Sequence, residues 1–109
     1  ALLGAAGLGD IGQHYPDTDP AWKGANSLAI LKDVADKVTA LGWRVGNIDC
    51  SVVCESPRIA PVRDEMVSLL SAAAGAPVSV KGRRAEGLGA IGRGEGIACF
   101  SSAIIIKES

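Results

Sequence analysis

The sequence predicts a single α/β domain of the α+β kind, with helices packed on one face of a small mixed β-sheet. Three observations carry that expectation. Two stretches repeat apolar residues at helical spacing and each ends at a glycine. A stretch between them alternates as a half-buried strand does. The chain closes on a β-branched run that is apolar on both sides.

Bulk properties set the frame. A chain of 109 residues holds one core but not two. Hydrophobic residues are 48% and charged residues 21%, a balance that excludes disorder. The formal net charge of −1 argues against a general nucleic-acid binder, and 4% aromatic content is too sparse for base-stacking platforms. No apolar run approaches the ~20 residues that cross a bilayer, so no membrane partner is expected. No stretch reads as a signal peptide, which points to a reducing cytoplasm, or the interior of a plastid-type organelle in a eukaryote.

Residues 1–8 read as the last two turns of a helix, with Gly9 as its C-cap and an upstream segment expected before Ala1. Residues 9–20 then form an acidic loop. Asp10, Asp17 and Asp19 stand on it between Gly9, Gly12, Pro16 and Pro20, and no Lys or Arg precedes Lys23. Loops are where a scaffold aims its binding groups. Ser27 is the expected N-cap of the first long helix, whose apolar face is Leu31, Val34, Val38 and Leu41 and whose stop is Gly42. A strand is expected from Trp43 to Cys54, with Ile48, Cys50, Val52 and Cys54 alternating with Asn47, Asp49, Ser51 and Val53.

Pro57 and Pro61 frame a turn, with Pro61 at the first position of a second helix. That helix is expected to run to Ala74, bury Val62, Met66, Leu69 and Leu70, and stop at Gly75. A short strand from Val78 to Lys81 and a glycine-rich connection from Gly82 to Gly96 lead to the closing strand, Ile97 to Ile106. One of its faces carries Ile97, Cys99, Ala103 and Ile105; the other carries Ala98, Phe100, Ile104 and Ile106. Both should be covered. Helices can cover one, so identical subunits are expected on the other.

Several apparent motifs lack their context. Gly7 to Gly12 and Gly87 to Gly92 both match G-x-G-x-x-G, yet the first follows a helix and the second joins two strands, so neither reads as a dinucleotide site. Cys50, Cys54 and Cys99 are odd in number. On one strand Cys50 and Cys54 lie about 13 Å apart, at ~3.3 Å per residue, too far for a disulfide. They read as small buried hydrophobes. His14, the one histidine, reads as a hydrogen-bonded loop side chain rather than a catalytic one. A basic group, Lys81, Arg83, Arg84 and Arg93, is the counterpart of the acidic loop. Brought together within or between subunits, the two would suit a phosphorylated ligand.

Three strings in order, LGDIGQHYPDTDPAWKG, GNIDCSVVCESPRIAP and GRGEGIAC, resemble the 2-C-methyl-D-erythritol 2,4-cyclodiphosphate synthase family over nearly the whole chain. The resemblance implies a homotrimer of subunits, each with a four-stranded sheet and helices on one face, the sheets surrounding a threefold axis. These 109 residues would be the C-terminal two-thirds of a subunit. The implied reaction converts a cytidine-diphosphate derivative of methylerythritol 2-phosphate to a cyclic diphosphate with release of CMP, in non-mevalonate isoprenoid synthesis. It is phosphoryl chemistry that works by positioning and charge neutralisation.

The same resemblance assigns residues. Asp10, Ile11 and Gly12 match the substrate-contacting Asp-x-Gly. Tyr15, Pro16, Asp17, Thr18 and Asp19 match the segment beside the methylerythritol and its phosphate. Cys54, Glu55, Ser56, Pro57, Arg58, Ile59 and Ala60 match the cytidine-binding turn, with Arg58 where Lys is usual. Glu86 falls on the ligand of a second metal, magnesium or manganese. Arg83, Arg84, Ala85 and Ala90 complete the substrate contacts, and Arg84 and Glu86 are the candidate catalytic pair. Arg93 and Glu95 match a motif near the trimer axis, where a ring of Arg would bind an isoprenoid diphosphate. Arg83 and Arg84 replace Thr residues of the family, and Arg can bind phosphate bidentately. The family's zinc ligands, an Asp-x-His pair and a further His, fall before Ala1, so these residues alone are expected neither to hold zinc nor to turn over substrate. The alternative is a non-catalytic trimeric module that binds cytidine nucleotides or isoprenoid diphosphates.

Overall fold

The computed structural model describes residues 1–21, 24 and 26–108. Trp22 and Lys23 of the first string lie outside the described residues, as do Ala25 and Ser109. The elements in chain order are α1 (Leu2–Ala5), α2 (Ile11–His14), α3 (Ser27–Ala40), β1 (Trp43–Val53), a 3₁₀ turn (Ala60–Val62), α4 (Arg63–Ala74), β2 (Val78–Arg83), α5 (Gly89–Gly92) and β3 (Ala98–Lys107).

The described residues form one three-stranded mixed sheet of order β2-β1-β3; the fourth strand that the resemblance implies is not among them. β1 runs parallel to β2, with α4 as the crossover, and antiparallel to β3. The register aligns Ile48 and Cys50 with Val78 and Val80 on one side and with Ala103 and Ser101 on the other. Residues opposite one another share a face. The helix-side face is therefore Val45, Ile48, Val78, Val80, Ala103 and Ile105, and it packs against Leu2, Leu3, Tyr15, Val34, Val38 and Ala74. A smaller cluster of Cys54, Ile59 and Val80 extends it under the turn after β1. Helices do lie on one face, as expected.

Where local readings erred, a neighbouring group explains each case. Asn26, not Ser27, caps α3: its side-chain oxygen accepts from the Leu28 N–H at 2.7 Å, which leaves Ser27 as the first helical residue. α1 spans one turn and is capped at Ala6, before Gly9. The acidic loop contains a helical turn, because Asp10 and Gln13 form a reciprocal capping box. Pro61 sits in the 3₁₀ turn and α4 begins at Arg63. The inner face of α4 follows a four-residue step, Met66, Leu70 and Ala74, with Val67 beside it; Val62 and Leu69 are exposed. Leu41 is likewise exposed, past the last turn of α3. Gly75 ends α4 in the left-handed region. β2 reaches Arg83, two residues past the expected Lys81, which carries the chain directly into the candidate site.

A candidate anion-binding cleft at the edge of β2

β2 is an edge strand, and its end at Arg83 lies beside the turn that follows β1. Cys54, Arg58, Ile59, Ala60, Arg63, Gly82, Arg83 and Arg84 line a cleft of about 280 Å³ there. Two buried side chains set its shape. The Cys54 and Ile59 side chains turn inward, and the Cys54 thiol donates to the Pro57 carbonyl at 3.3 Å, which folds the turn back on itself. Ile59 lies directly over Gly82; a Cβ there would fall 2.7 Å from the Ile59 Cβ, so only glycine permits this approach. The Ser56–Pro57 peptide is cis.

Glu55 ties the two halves together. Its carboxylate accepts from Arg84 Nη2 at 2.8 Å, from the Ala85 N–H at 2.6 Å and, more weakly, from the Gly87 N–H at 3.4 Å. Burial pushes the Glu55 carboxyl up, but Arg84 and the Gly87 and Ala85 N–H groups outweigh it and hold the group below its ordinary value. The Glu55 side chain thus clamps the turn after β1 to Arg84, Ala85 and Gly87. Glu86 follows at φ 54°, exposed, with no hydrogen bond or ion pair among the described residues.

Beyond Glu86 the chain makes the single turn α5, closed by Gly92 N–H to Leu88 C=O and Glu95 N–H to Ala90 C=O. Ala90 is exposed on that turn. Arg93 pairs with Glu95. The second glycine triplet is thus a short connection between β2 and β3 and lacks the long helix of a dinucleotide site.

The structure brings the Cys54–Ala60 turn and Arg83–Glu86 together. Among the described residues no side-chain hydrogen bond ties the acidic loop to them. No ion pair among the described residues joins Asp10, Asp17 or Asp19 to a basic side chain. Asp10 caps α2, and Asp19 accepts from the Ala21 N–H at 2.9 Å. Ile11, Gly12, Asp17 and Thr18 are exposed and Pro16 is half-buried.

Tyr15, alone in the acidic loop, is buried in the core. Its hydroxyl donates to Asp33 at 2.5 Å, and Lys37 lies 4.5 Å from its ring centroid. Burial pushes the Tyr15 phenol above its ordinary value, and the bond to Asp33 adds to the rise. That same bond, helped by Lys37, holds the Asp33 carboxyl low. His14 Nε2 lies 2.6 Å from the Leu8 carbonyl and Nδ1 lies 3.2 Å from Lys37 Nζ, so the tautomer that fits donates from Nε2 and accepts at Nδ1. The loop is therefore pinned to α3 by Asp33 and Lys37. Neither residue belongs to a sequence motif; their i, i+4 acid–base spacing was the available signal. Arg63 was also missed, and a cation at the start of a helix, where acids are favoured, was its signal.

The fold and the cleft define a class: an α/β protein that gathers guanidinium groups around a cleft at a strand edge. The sequence profile of the YgbB family matches residues 1–106. The 2-C-methyl-D-erythritol 2,4-cyclodiphosphate synthase of Bordetella petrii is 50% identical over 100% of this chain and 69% of its own length. The bifunctional enzyme IspD/IspF of Anaeromyxobacter dehalogenans is 49% identical over 100% of the chain, which spans only 29% of that longer protein. The solved IspF of Plasmodium falciparum, a CDP complex, superposes with a TM-score of 0.84 at 29% identity over 99% of this chain and 66% of its own. The chain belongs to the YgbB family, that of the 2-C-methyl-D-erythritol 2,4-cyclodiphosphate synthases.

Among the described residues, no helix is long and apolar enough to cross a membrane.

Proposed function

We propose that this chain carries the nucleotide cleft of a cyclodiphosphate synthase, which converts 4-diphosphocytidyl-2-C-methyl-D-erythritol 2-phosphate to 2-C-methyl-D-erythritol 2,4-cyclodiphosphate and CMP. One observation carries the reading: Glu55 fastens the Cys54–Ala60 turn to Arg84, Ala85 and Gly87, so a base-sized turn and a phosphate-sized cationic rim share one cleft. Relatives named for this synthase, and a related IspF complexed with CDP, support it.

In the reaction an oxygen of the 2-phosphate attacks the β-phosphorus, the P–O bond from that phosphorus to the bridging oxygen breaks, and CMP leaves with the bridging oxygen. Backbone groups of Cys54–Ala60 read the cytosine, while Arg58 and Arg83 offset charge on the diphosphate. Asp10, Ile11, Gly12 and Pro16–Asp19 serve the same site from an adjoining copy, with Tyr15 anchoring that segment from inside. Among the described residues no three His, Cys, Asp or Glu side chains are grouped to hold a metal ion, so these residues do not fit a zinc centre. The exposed, unpartnered Glu86 carboxylate does fit magnesium or manganese, which take one carboxylate and complete their shell with phosphate oxygens and water. When bound, such an ion neutralises charge on the phosphates.

The assembly is a cytoplasmic or plastid homotrimer. Each subunit completes a four-stranded sheet with chain outside this sequence, and Arg93 faces an axial site for an isoprenoid diphosphate. The complete gene product, including anything encoded ahead of Ala1, should release CMP and cyclic diphosphate from the cytidine-diphosphate substrate with magnesium, as followed by phosphorus NMR. CDP binding without turnover would replace the synthase with a nucleotide-binding module. Failure to bind CDP at all would end the nucleotide reading.

A further inference from the structure

His14 stands in the acidic loop with both ring nitrogens engaged. Nε2 lies 2.6 Å from the Leu8 carbonyl, and Nδ1 lies 3.2 Å from Lys37 Nζ on α3. An ammonium can only donate, so Nδ1 accepts and the ring is neutral in this arrangement. Lys37 Nζ also lies 3.4 Å from Asp33 Oδ2, and the same oxygen accepts from the Tyr15 hydroxyl at 2.5 Å. The ammonium sits 4.5 Å from the Tyr15 ring centroid. Half-buried His14, Asp33 and Lys37 thus meet buried Tyr15 at the point where Pro16–Asp19 departs, a turn closed by the Asp19 N–H on the Pro16 carbonyl at 3.0 Å. Another acid–base pair of α3, Lys32 with Asp36 at 3.1 Å, is exposed and makes no bond to the loop among the described residues.

Three of these four groups keep one charge between about pH 5 and 8. Burial and the bond to Asp33 push the Tyr15 phenol above its ordinary value, and the Tyr15 hydroxyl holds the Asp33 carboxyl below its own. Burial pulls the Lys37 amine down, but Tyr15 and Asp33 outweigh it and leave the amine high. The fourth group is an imidazole, the type of side chain that gains a proton in that interval. A proton on Nδ1 removes the acceptor that Lys37 uses and sets two cations side by side. Asp33 is the carboxylate beside both, and one oxygen of it already serves Tyr15 and Lys37. The imidazolium and the ammonium then compete for it, and the bond between loop and helix through Lys37 is lost.

We propose that His14 and Lys37 are positioning residues: the neutral imidazole latches the acidic loop to α3, and a proton taken up at Nδ1 frees Lys37 and loosens Pro16–Asp19. The latch stands on contacts within the chain; its effect on catalysis rests on the proposed place of Pro16–Asp19 at the substrate site. The test follows amide-exchange protection of residues 14–19 and steady-state kinetics of the complete gene product from about pH 8 to pH 6. Loop protection should fall about fivefold, the effect of one ordinary hydrogen bond, while α3 stays unchanged. KM for the cytidine-diphosphate substrate should rise by a similar factor with kcat steady. His14→Gln offers a donor and an acceptor at similar reach without titrating, so it should match wild type at pH 8 and lose the pH response. Dividing each KM by the His14→Gln value at the same pH cancels titration of the substrate's own phosphates. Lys37→Met should hold protection low and KM high at every pH, Lys37→Arg should restore the latch, and Lys32→Met should change nothing. If His14→Gln fails to fold by circular dichroism, the two Lys37 variants still decide. An equal pH response in His14→Gln or Lys37→Met, or loop protection that ignores pH in wild type, overturns the latch. Protection that falls with KM unmoved keeps the latch and removes the acidic loop from the substrate site instead.

Discussion

Glu86 holds a left-handed backbone, φ 54°, that ordinarily belongs to glycine. That conformation costs an ordinary residue ~1–2 kcal/mol, so a carboxylate here is kept at the expense of stability, as functional positions often are. Glu86→Gly removes the strain, although glycine's extra freedom in the unfolded chain takes back ~0.4–1 kcal/mol. The net gain of roughly 0.5–1 kcal/mol should raise the melting temperature by about 2–5 °C while turnover collapses. Glu86→Gln retains the strain, so it should lose turnover with no thermal gain. A Glu86→Gly protein that melts lower and still turns over would remove both the strain and the metal role. Tyr15 offers the opposite case, a matched residue whose work is internal. Tyr15→Phe deletes the bond to a charged Asp33 and should cost about 1 kcal/mol, since Asp33 keeps Lys37 and some water. The Asp33 carboxyl is held below its ordinary value, so its contribution is complete above about pH 4 and is lost as pH falls through the folded-state value. The melting difference between wild type and Tyr15→Phe should therefore be flat from pH 5 to 8 and shrink in acid; a gap that widens in acid would contradict the sign.

At the scale of elements, the connection from Glu86 to Glu95 is the part of the site with least tolerance. A Cβ on Gly92 would lie 2.3 Å from the carbonyl carbon of Gly87, and neither backbone can yield as a side-chain tip would. Gly92→Ala should destabilise by about 1–3 kcal/mol, in the range of overpacking. Amide exchange should accelerate at Gly92, Arg93 and Glu95, whose N–H groups close the turn, and stay unchanged through α3. Uniform acceleration would show instead that the turn unfolds with the core. The same distinction explains what could be read in advance. α3 and β1 declare themselves by period and stop signals, because burying one stripe or one face dictates both. The inner face of α4 was misread at Val62 and Leu69, since the 3₁₀ turn delays the helix and shifts its phase to Met66, Leu70 and Ala74. The helical turn α2 was hidden by the glycines and prolines around its capping box. In the site, the Cys54–Ala60 turn and the Arg83–Glu86 stretch were legible as motifs. The clamp from Glu55, the burial of Tyr15 and the place of Arg63 were not. Each depends on a partner 18 to 32 residues away, or on a cleft shared by two elements, which no local pattern encodes.

For the whole molecule, the two faces of the sheet differ in what covers them. Helices bury one. On the other, β1 and β2 present Asn47, Asp49, Ser51, Ser79 and Lys81, while β3 presents Phe100, Ile104 and Ile106, at 68%, 59% and 39% exposure. An apolar stripe of this kind beside a polar half suits packing of identical subunits along β3. Burying on the order of 300 Å² of apolar surface per subunit there would contribute roughly 7 kcal/mol, which is of the same order as the cost of lost translational and rotational freedom on association. Phe100→Asp places an unpaired charge in the middle of that stripe, at a cost of several kcal/mol per subunit, and should convert the proposed trimer to monomers in sedimentation velocity at micromolar concentration. Lys107→Glu, at the end of β3 with its amine 4.7 Å from the Trp43 ring centroid, should lose a small cation–π contact and leave the association state alone. Because the acidic loop and the arginine cleft do not pair within one chain, the Phe100→Asp protein should lose turnover while retaining some affinity for CDP at its own cleft. A Phe100→Asp protein that still sediments as a trimer would place the subunit contact elsewhere, and a monomeric variant with full turnover would mean that one subunit supplies both halves of the site.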